Sequence, residues 1–218
     1  MTSPAAFEMA IVHRAFRNEL HRLPELIDCV REGDARRAAV VDAHLKFVVA
    51  VLHHHHSAED DLIWPKLHAR APLHDSDIYR MEDAHRTIAA AVDRAKAEGS
   101  AWAKSGALSA AERLRTAVDD LVRCVDAHLE EEERDVVPLI DEYLTEAEWK
   151  KATVRGASFL RTHPRLGLVF GGCILEGVSQ EDKDRFLAGT PPAARLMWRL
   201  AGTRTYERYC ARLHGPAS

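Results

Sequence analysis

VLHHHHSAEDDLIWP, residues 51–65, sets four consecutive histidines and three carboxylates into a segment whose apolar residues recur at helical spacing. CVDAHLEEEERDVVP, residues 124–138, repeats the arrangement. His55 and Glu59 are spaced i, i+4, as are His128 and Glu132, and a proline (Pro65, Pro138) follows each glutamate by six residues. Helix residues four apart share a face, one turn or about 6 Å along the axis, so each HxxxE pair directs an imidazole and a carboxylate at one centre. Of the four consecutive histidines only His55 has a glutamate four residues on, the pairing that is copied at His128 and Glu132. His53 and His54 project off the stripe and read as solvated. His56, about 60° of arc from Glu59, is open between a fifth imidazole ligand, a donor behind the ligands and a wet flank, with the last two preferred.

Outward from these segments, the apolar pattern predicts helices. Met9, His13, Phe16, Leu20 and Ile27 mark one face of a helix over 5–30, which Pro24 is expected to kink or break. Glu32-Gly33-Asp34 stops it and caps the next, whose stripe runs through Val41, His44, Val48, Val51, Leu52, His55, Glu59 and Leu62. A turn-rich break at 72–77 precedes a third helix faced by Ile78, Met81, His85, Ile88 and Val92. Residues 98–108, with Gly99, Ser100, Ser105 and Gly106, read as a loop. Ser109 and Glu112 read as the capping box of a fourth helix carrying Leu114, Val118, Leu121, Val125, His128, Glu132 and Val136. Strand signals are absent. The predicted class is all-α: an up-down four-helix bundle over 1–144 with a C-terminal α-helical extension, 145–218, packed on it. In the extension Thr145 and Glu148 form another capping box, and Gly167, Gly171 and Gly172 break up an apolar run.

One further core-facing histidine precedes each pair: His13 lies 42 residues before His55, and His85 lies 43 before His128. The chain thus reads H…HxxxE twice, and His13, His55, Glu59, His85, His128 and Glu132 can converge inside the bundle. Four imidazoles and two carboxylates suit two ions bridged by carboxylates, whereas burying them without a cation would cost several kcal/mol each. Nitrogen and oxygen donors without thiolate suit iron, and ligand type alone also admits zinc or manganese. A ferritin-like di-iron site needs two ExxH motifs, and Glu82 with His85 is the only one. His44, about 16 Å of helix before His55, is too far to share an ion and reads as a core histidine. The acidic run from Glu130 to Asp135 reads as a solvated face, with Glu131 able to exchange with Glu132.

With these residues in place, the sequence resembles the hemerythrin-like family, the HHE cation-binding domain, whose motif is a histidine followed by HxxxE, given twice. His13, His55, Glu59, His85, His128 and Glu132 match that motif, and the match covers residues 5–144. The resemblance implies a non-haem di-iron centre, two iron ions with Glu59 and Glu132 bridging and an oxo or hydroxo group between them. The oxygen-carrying hemerythrins are expected to have a second histidine on the third helix and an aspartate on the fourth. Here the positions four after and four before His85 are Ala89 and Met81, and the fourth-helix carboxylate is Glu132. That departure favours reactivity with peroxide, nitric oxide or oxygen over simple storage. The expected function is an oxidoreductase turning over hydrogen peroxide, catalase-like, or nitric oxide. The alternative is a non-catalytic module that senses or binds oxygen, nitric oxide or iron.

Composition narrows the partners. The formal charge of −4, from 30 Lys+Arg against 34 Asp+Glu, gives no basic excess for nucleic acid. No apolar run approaches the roughly 20 residues of a membrane span, and the first residues lack a secretory pattern. Four scattered cysteines without a CxxC pair suggest free thiols. A cytoplasmic monomer or homodimer taking small ligands is expected.

Overall fold

A computed structural model of the chain describes residues 3–215. These residues are all-α, with no strand among them. Helix α1 spans Pro4–Asp28, α2 Ala35–Leu62, α3 Trp64–Arg70, α4 Asp75–Ser105, α5 Leu108–Glu131, α6 Val137–Tyr143 and α7 Glu146–Gly156. They are followed by α8 Ser158–Thr162, α9 Pro164–Leu175, α10 Gln180–Gly189, α11 Pro192–Met197 and α12 Thr203–His214. The chain forms two compact units, residues up to 159 and residues from 160 on. Among the described residues no helix is long and apolar enough to cross a membrane, and none of the four cysteines is in a disulfide.

In the first unit α1 packs against α2 and α5, and α4 packs against the same two helices. The four long helices therefore share one interior, lined by Phe16, Leu20, Leu45, Val48, Leu52, Ile88, Leu121 and Val125. Capping sets two of the starts: Ser3 Oγ accepts from Ala6 N at 3.0 Å, and Asp34 Oδ1 accepts from Arg37 N at 2.9 Å. Pro24 does not end α1, which continues to Asp28. Burial of Leu23, Leu26 and Ile27 around the proline outweighs the hydrogen bond it removes.

The loop expected at 98–108 shrinks to two residues, because α4 runs to Ser105 and α5 begins at Leu108. The two glycines that suggested a loop have different tasks. Gly99 is buried where α4 meets α2, and a Cβ there would lie 2.6 Å from Asp42 Oδ1. Gly106 ends α4 at φ 63°, and its carbonyl accepts from Gly33 N at 2.9 Å, tying the turn after α1 to the turn after α4. A Cβ on Gly106 would also press on Asp34 N at 2.7 Å. Gly106→Ala is therefore expected to cost about 1 kcal/mol or more, lowering the Tm by roughly 2–4 °C per kcal/mol in a thermal melt. Ser109 is not the cap of α5; Ala107 occupies that position without a side-chain bond.

Thr145 and Glu148 do form a capping box, at the start of α7. Helix α7 belongs to the first unit: it packs on α2, and Trp149 Nε1 donates to Glu8 Oε2 at 2.8 Å. The compact first unit thus extends past residue 144, the boundary expected from sequence. Met9, Ile63, Trp64, Leu67, Met81, Val136, Ile140 and Trp149 form an apolar cluster that joins α3, α6 and α7 to the long helices.

In the second unit α9 packs on α12 and on the π-helical turn Trp198–Gly202. The glycines expected to break the apolar run lie within α9 instead, where Gly171 leaves room for the Trp198 ring and Gly172 for the Tyr206 ring. The Trp198 and Tyr206 stripe is thus used for packing.

Candidate metal centre

The interior of the first unit turns polar at one level. There α1 contributes His13, α2 contributes His55, His56 and Glu59, α4 contributes His85, and α5 with its continuation contributes His128 and Glu132. All six residues singled out from sequence meet at this level. His55 is the most accessible, and the other five are buried.

Two groups of donors form, each within 4.8 Å: His13, His55, Glu59 and Glu132 in one, and His56, His85 and His128 in the other. The internal repeat of the sequence reappears as a repeat of distances. His13 Nε2 lies 3.1 Å from His55 Nε2, and His85 Nε2 lies 3.2 Å from His128 Nε2. The glutamates face both groups. Glu59 places Oε1 3.1 Å from His55 Nε2 and Oε2 3.5 Å from His85 Nε2. Glu132 Oε2 is 3.5 Å from His13 Nε2 and 3.6 Å from His128 Nε2.

Both glutamates sit where their helices end. Backbone geometry becomes π-helical from Glu132 to Val136, just ahead of Pro138, and α2 stops at Leu62 ahead of Pro65. Each proline lacks the N–H that would continue the i→i−4 ladder, and π-turns of this kind recur at functional sites.

Behind the inner ring stands a second repeat. His13 Nδ1 donates to Glu133 Oε1 at 2.9 Å, and His85 Nδ1 donates to Asp60 Oδ1 at 2.7 Å. Carboxylates only accept, so both Nδ1 atoms carry the proton and both Nε2 atoms present lone pairs inward. Burial alone would raise the Glu133 carboxyl, but hydrogen bonds from His13 and Arg17 and their charges hold it below its usual value. The two carboxylates directly follow Glu59 and Glu132, so the sequence repeat is HxxxE plus one acidic residue. Glu131, considered as an exchange partner for Glu132, pairs instead with Arg80 at 3.0 Å. Asp60→Asn and Glu133→Gln are each expected to weaken metal affinity about 10–100-fold while leaving the fold intact, measured by competition with a coloured chelator.

His56 is not a wet flank. It is 6 % exposed, stacks on His85 with ring centroids 4.1 Å apart at 11°, and meets the His128 ring edge-on at 5.0 Å. No repeat signal could have found it, since the residue after His128 is Leu129. His53 is exposed, as expected, but His54 stacks on Phe159 with centroids 5.6 Å apart. His44 is buried with Glu19, 3.3 Å away, as a core pair outside the centre.

The electrostatics of the bare residues test whether a cation fits. Burial, then the neighbouring imidazoles, pushes His55 and His56 well below the usual histidine range, and the same causes push His128 down to about 2. These rings are held neutral, the form that binds a metal. Burial, then the charges of Glu132 and Asp60, pushes Glu59 well up; burial also raises Glu132 against the pull of His13 and His85. None of the four oxygens of Glu59 and Glu132 has a hydrogen bond, nor does His56 Nε2. An unpaired buried carboxylate costs several kcal/mol, against a total stability of roughly 5–15 kcal/mol for a typical domain. A cation among these atoms removes that cost, and neutral imidazoles with carboxylates are the donor set it needs.

A family model, the hemerythrin HHE cation binding domain, matches residues 8–140. The chain belongs to the hemerythrin HHE family. The matched span of the hemerythrin domain contains both donor groups and both supporting carboxylates, Asp60 and Glu133. Residues from 160 on lie outside the span. No curated protein and no solved structure matches the chain significantly.

Proposed function

We propose that this hemerythrin-domain chain holds two iron ions inside an up-down four-helix bundle of α1, α2, α4 and α5 and turns over small oxidants, hydrogen peroxide or nitric oxide. The observation that carries this reading is the pair Glu59 and Glu132, each within 3.6 Å of imidazoles from both donor groups and each without a hydrogen bond. Carboxylates so placed would be shared between two ions held by the two donor groups. His13 and His55 would hold one ion and His85, His128 and His56 the other, with Glu59 and Glu132 serving both. Bound there, the iron pair would supply Lewis acidity and one-electron redox steps.

The protein's own contribution is positioning and exclusion. Glu133, clamped by Arg17 at 2.8 Å, and Asp60 fix the ring orientation of His13 and His85. Glu59 and Glu132 are both buried, so bulk water is kept away from the carboxylates. Ala89, four residues after His85, supplies no ligand where an oxygen carrier of this family is expected to have one, and His56 on α2, grouped with His85 and His128, would supply the third imidazole. Iron-loaded protein is expected to evolve oxygen from hydrogen peroxide or to consume nitric oxide at an electrode, and His55→Ala and His128→Ala are expected to abolish this. Iron-loaded protein inert to both would overturn the reading.

A further inference from the structure

The last helical run of the second unit packs with one face only. Helix α11, the π-helical turn Trp198–Gly202 and α12 follow one another without a break from Pro192 to His214. On the inward face Trp198 and Tyr206 lie against Gly171 and Gly172 of α9, and Leu213 is buried. On the outward face Leu196, Leu200, Arg204, Arg208 and Arg212 recur at steps of four, the spacing of one ridge along a helix. All five are exposed, Leu200 at 73 %, and Met197 is exposed beside them. The ridge is thus aliphatic in its first half and basic in its second.

Its charge is mostly of one sign. Residues 192–214 hold five arginines, the three of the ridge with Arg195 and Arg199, against one carboxylate, Glu207. Residues 160–218 carry nine Lys+Arg against five Asp+Glu, in a chain that is acidic as a whole, 30 against 34. Aliphatic side chains in line with arginines match a surface that is anionic at its face and apolar just beneath it. We infer that this ridge rests on an anionic lipid bilayer, with Leu196, Met197 and Leu200 entering between the headgroups and Arg204, Arg208 and Arg212 meeting the lipid phosphates. The helix lies on the bilayer and does not cross it; no described helix is long and apolar enough to do so. Nucleic acid offers phosphates but no place for three aliphatic side chains, and single strands are held by stacking on aromatic rings, whereas Trp198 and Tyr206 are turned onto α9. A protein partner needs about 800 Å² of matched surface on each side, well beyond three aliphatic side chains, whereas a bilayer needs no matched shape. The inference is independent of the metal reading above.

The test is cosedimentation of the full-length chain with vesicles of phosphatidylcholine alone and of phosphatidylcholine containing about 30 % phosphatidylglycerol, at about 0.1 M and about 0.5 M salt. Saturable binding to the anionic vesicles only is expected, and it should fall with salt as the exposed charges are screened. Arg204→Gln combined with Arg208→Gln is expected to weaken binding about 30-fold, at about fivefold for each arginine near such a surface. Leu196→Ser combined with Leu200→Ser is expected to weaken it at least about tenfold. All four side chains are exposed, so both variants should keep the circular dichroism and melt of the wild type. Absence of binding to the anionic vesicles at low salt, or equal binding by either variant, would overturn the inference. Tighter binding to an RNA oligonucleotide than to the vesicles, lost with the same arginines, would overturn it in favour of nucleic acid. Self-association without lipid, lost in both variants, would overturn it in favour of a second copy of the chain.

Discussion

Glu59→Ala and Glu132→Ala are each expected to leave well below one iron per chain, whereas His13→Ala is expected to leave about one. The difference follows from what each side chain faces. Glu59 presents one oxygen to His55 and the other to His85, and Glu132 lies within 3.6 Å of both His13 and His128. If both carboxylates serve two ions as proposed, deleting either removes a charged donor from both at once, and the remaining buried carboxylate cannot balance two divalent cations. His13 faces only one group, so its loss empties one position and leaves the triad of His56, His85 and His128 intact. Elemental analysis of reconstituted variants decides it. If Glu59→Ala retains two irons, the glutamates are not bridges.

Removing the metal is expected to lower the Tm by about 8–16 °C. A ligand at about 1,000 times its dissociation constant stabilises the native state by about 4 kcal/mol, and a domain of 150–250 residues shifts by roughly 2–4 °C per kcal/mol. The cause is local: the four oxygens of Glu59 and Glu132 and His56 Nε2 lack a hydrogen bond. The same atoms give a converse expectation. Glu59→Gln or Glu132→Gln, which replaces a buried carboxyl with a neutral amide, should melt higher than the metal-free wild type while binding less metal. Thermal melts with and without chelator check both. A chelator-insensitive melt of protein shown beforehand to carry metal would contradict the role given to these atoms.

The repeat was legible because helical geometry makes i, i+4 spacing meaningful and because it occurs twice, so His13, His55, Glu59, His85, His128 and Glu132 stood out from the other histidines and carboxylates. Asp60 and Glu133 were hidden by their neighbours: each sits in an acidic run that resembles a solvated face. Their signal was the extension of the repeat by one residue. His56 carried no such signal, because its role depends on how α2 is rotated against α4 and α5, which only tertiary packing sets. Gly99 and Gly106 show the same limit at the level of the fold. A glycine needed for close helix contact and one needed for a left-handed cap look alike in sequence, and together they suggested a loop where α4 continues for two more turns. Pro24 likewise reads as a breaker until the burial on either side of it is known.

The proposed centre is a pair of ions sharing Glu59 and Glu132. Mössbauer spectroscopy of the ⁵⁷Fe-reconstituted full chain, with iron quantified on the same sample, tests it most directly. About two irons per chain in a magnetically coupled pair are expected. A single iron, or two ions without coupling, would contradict it.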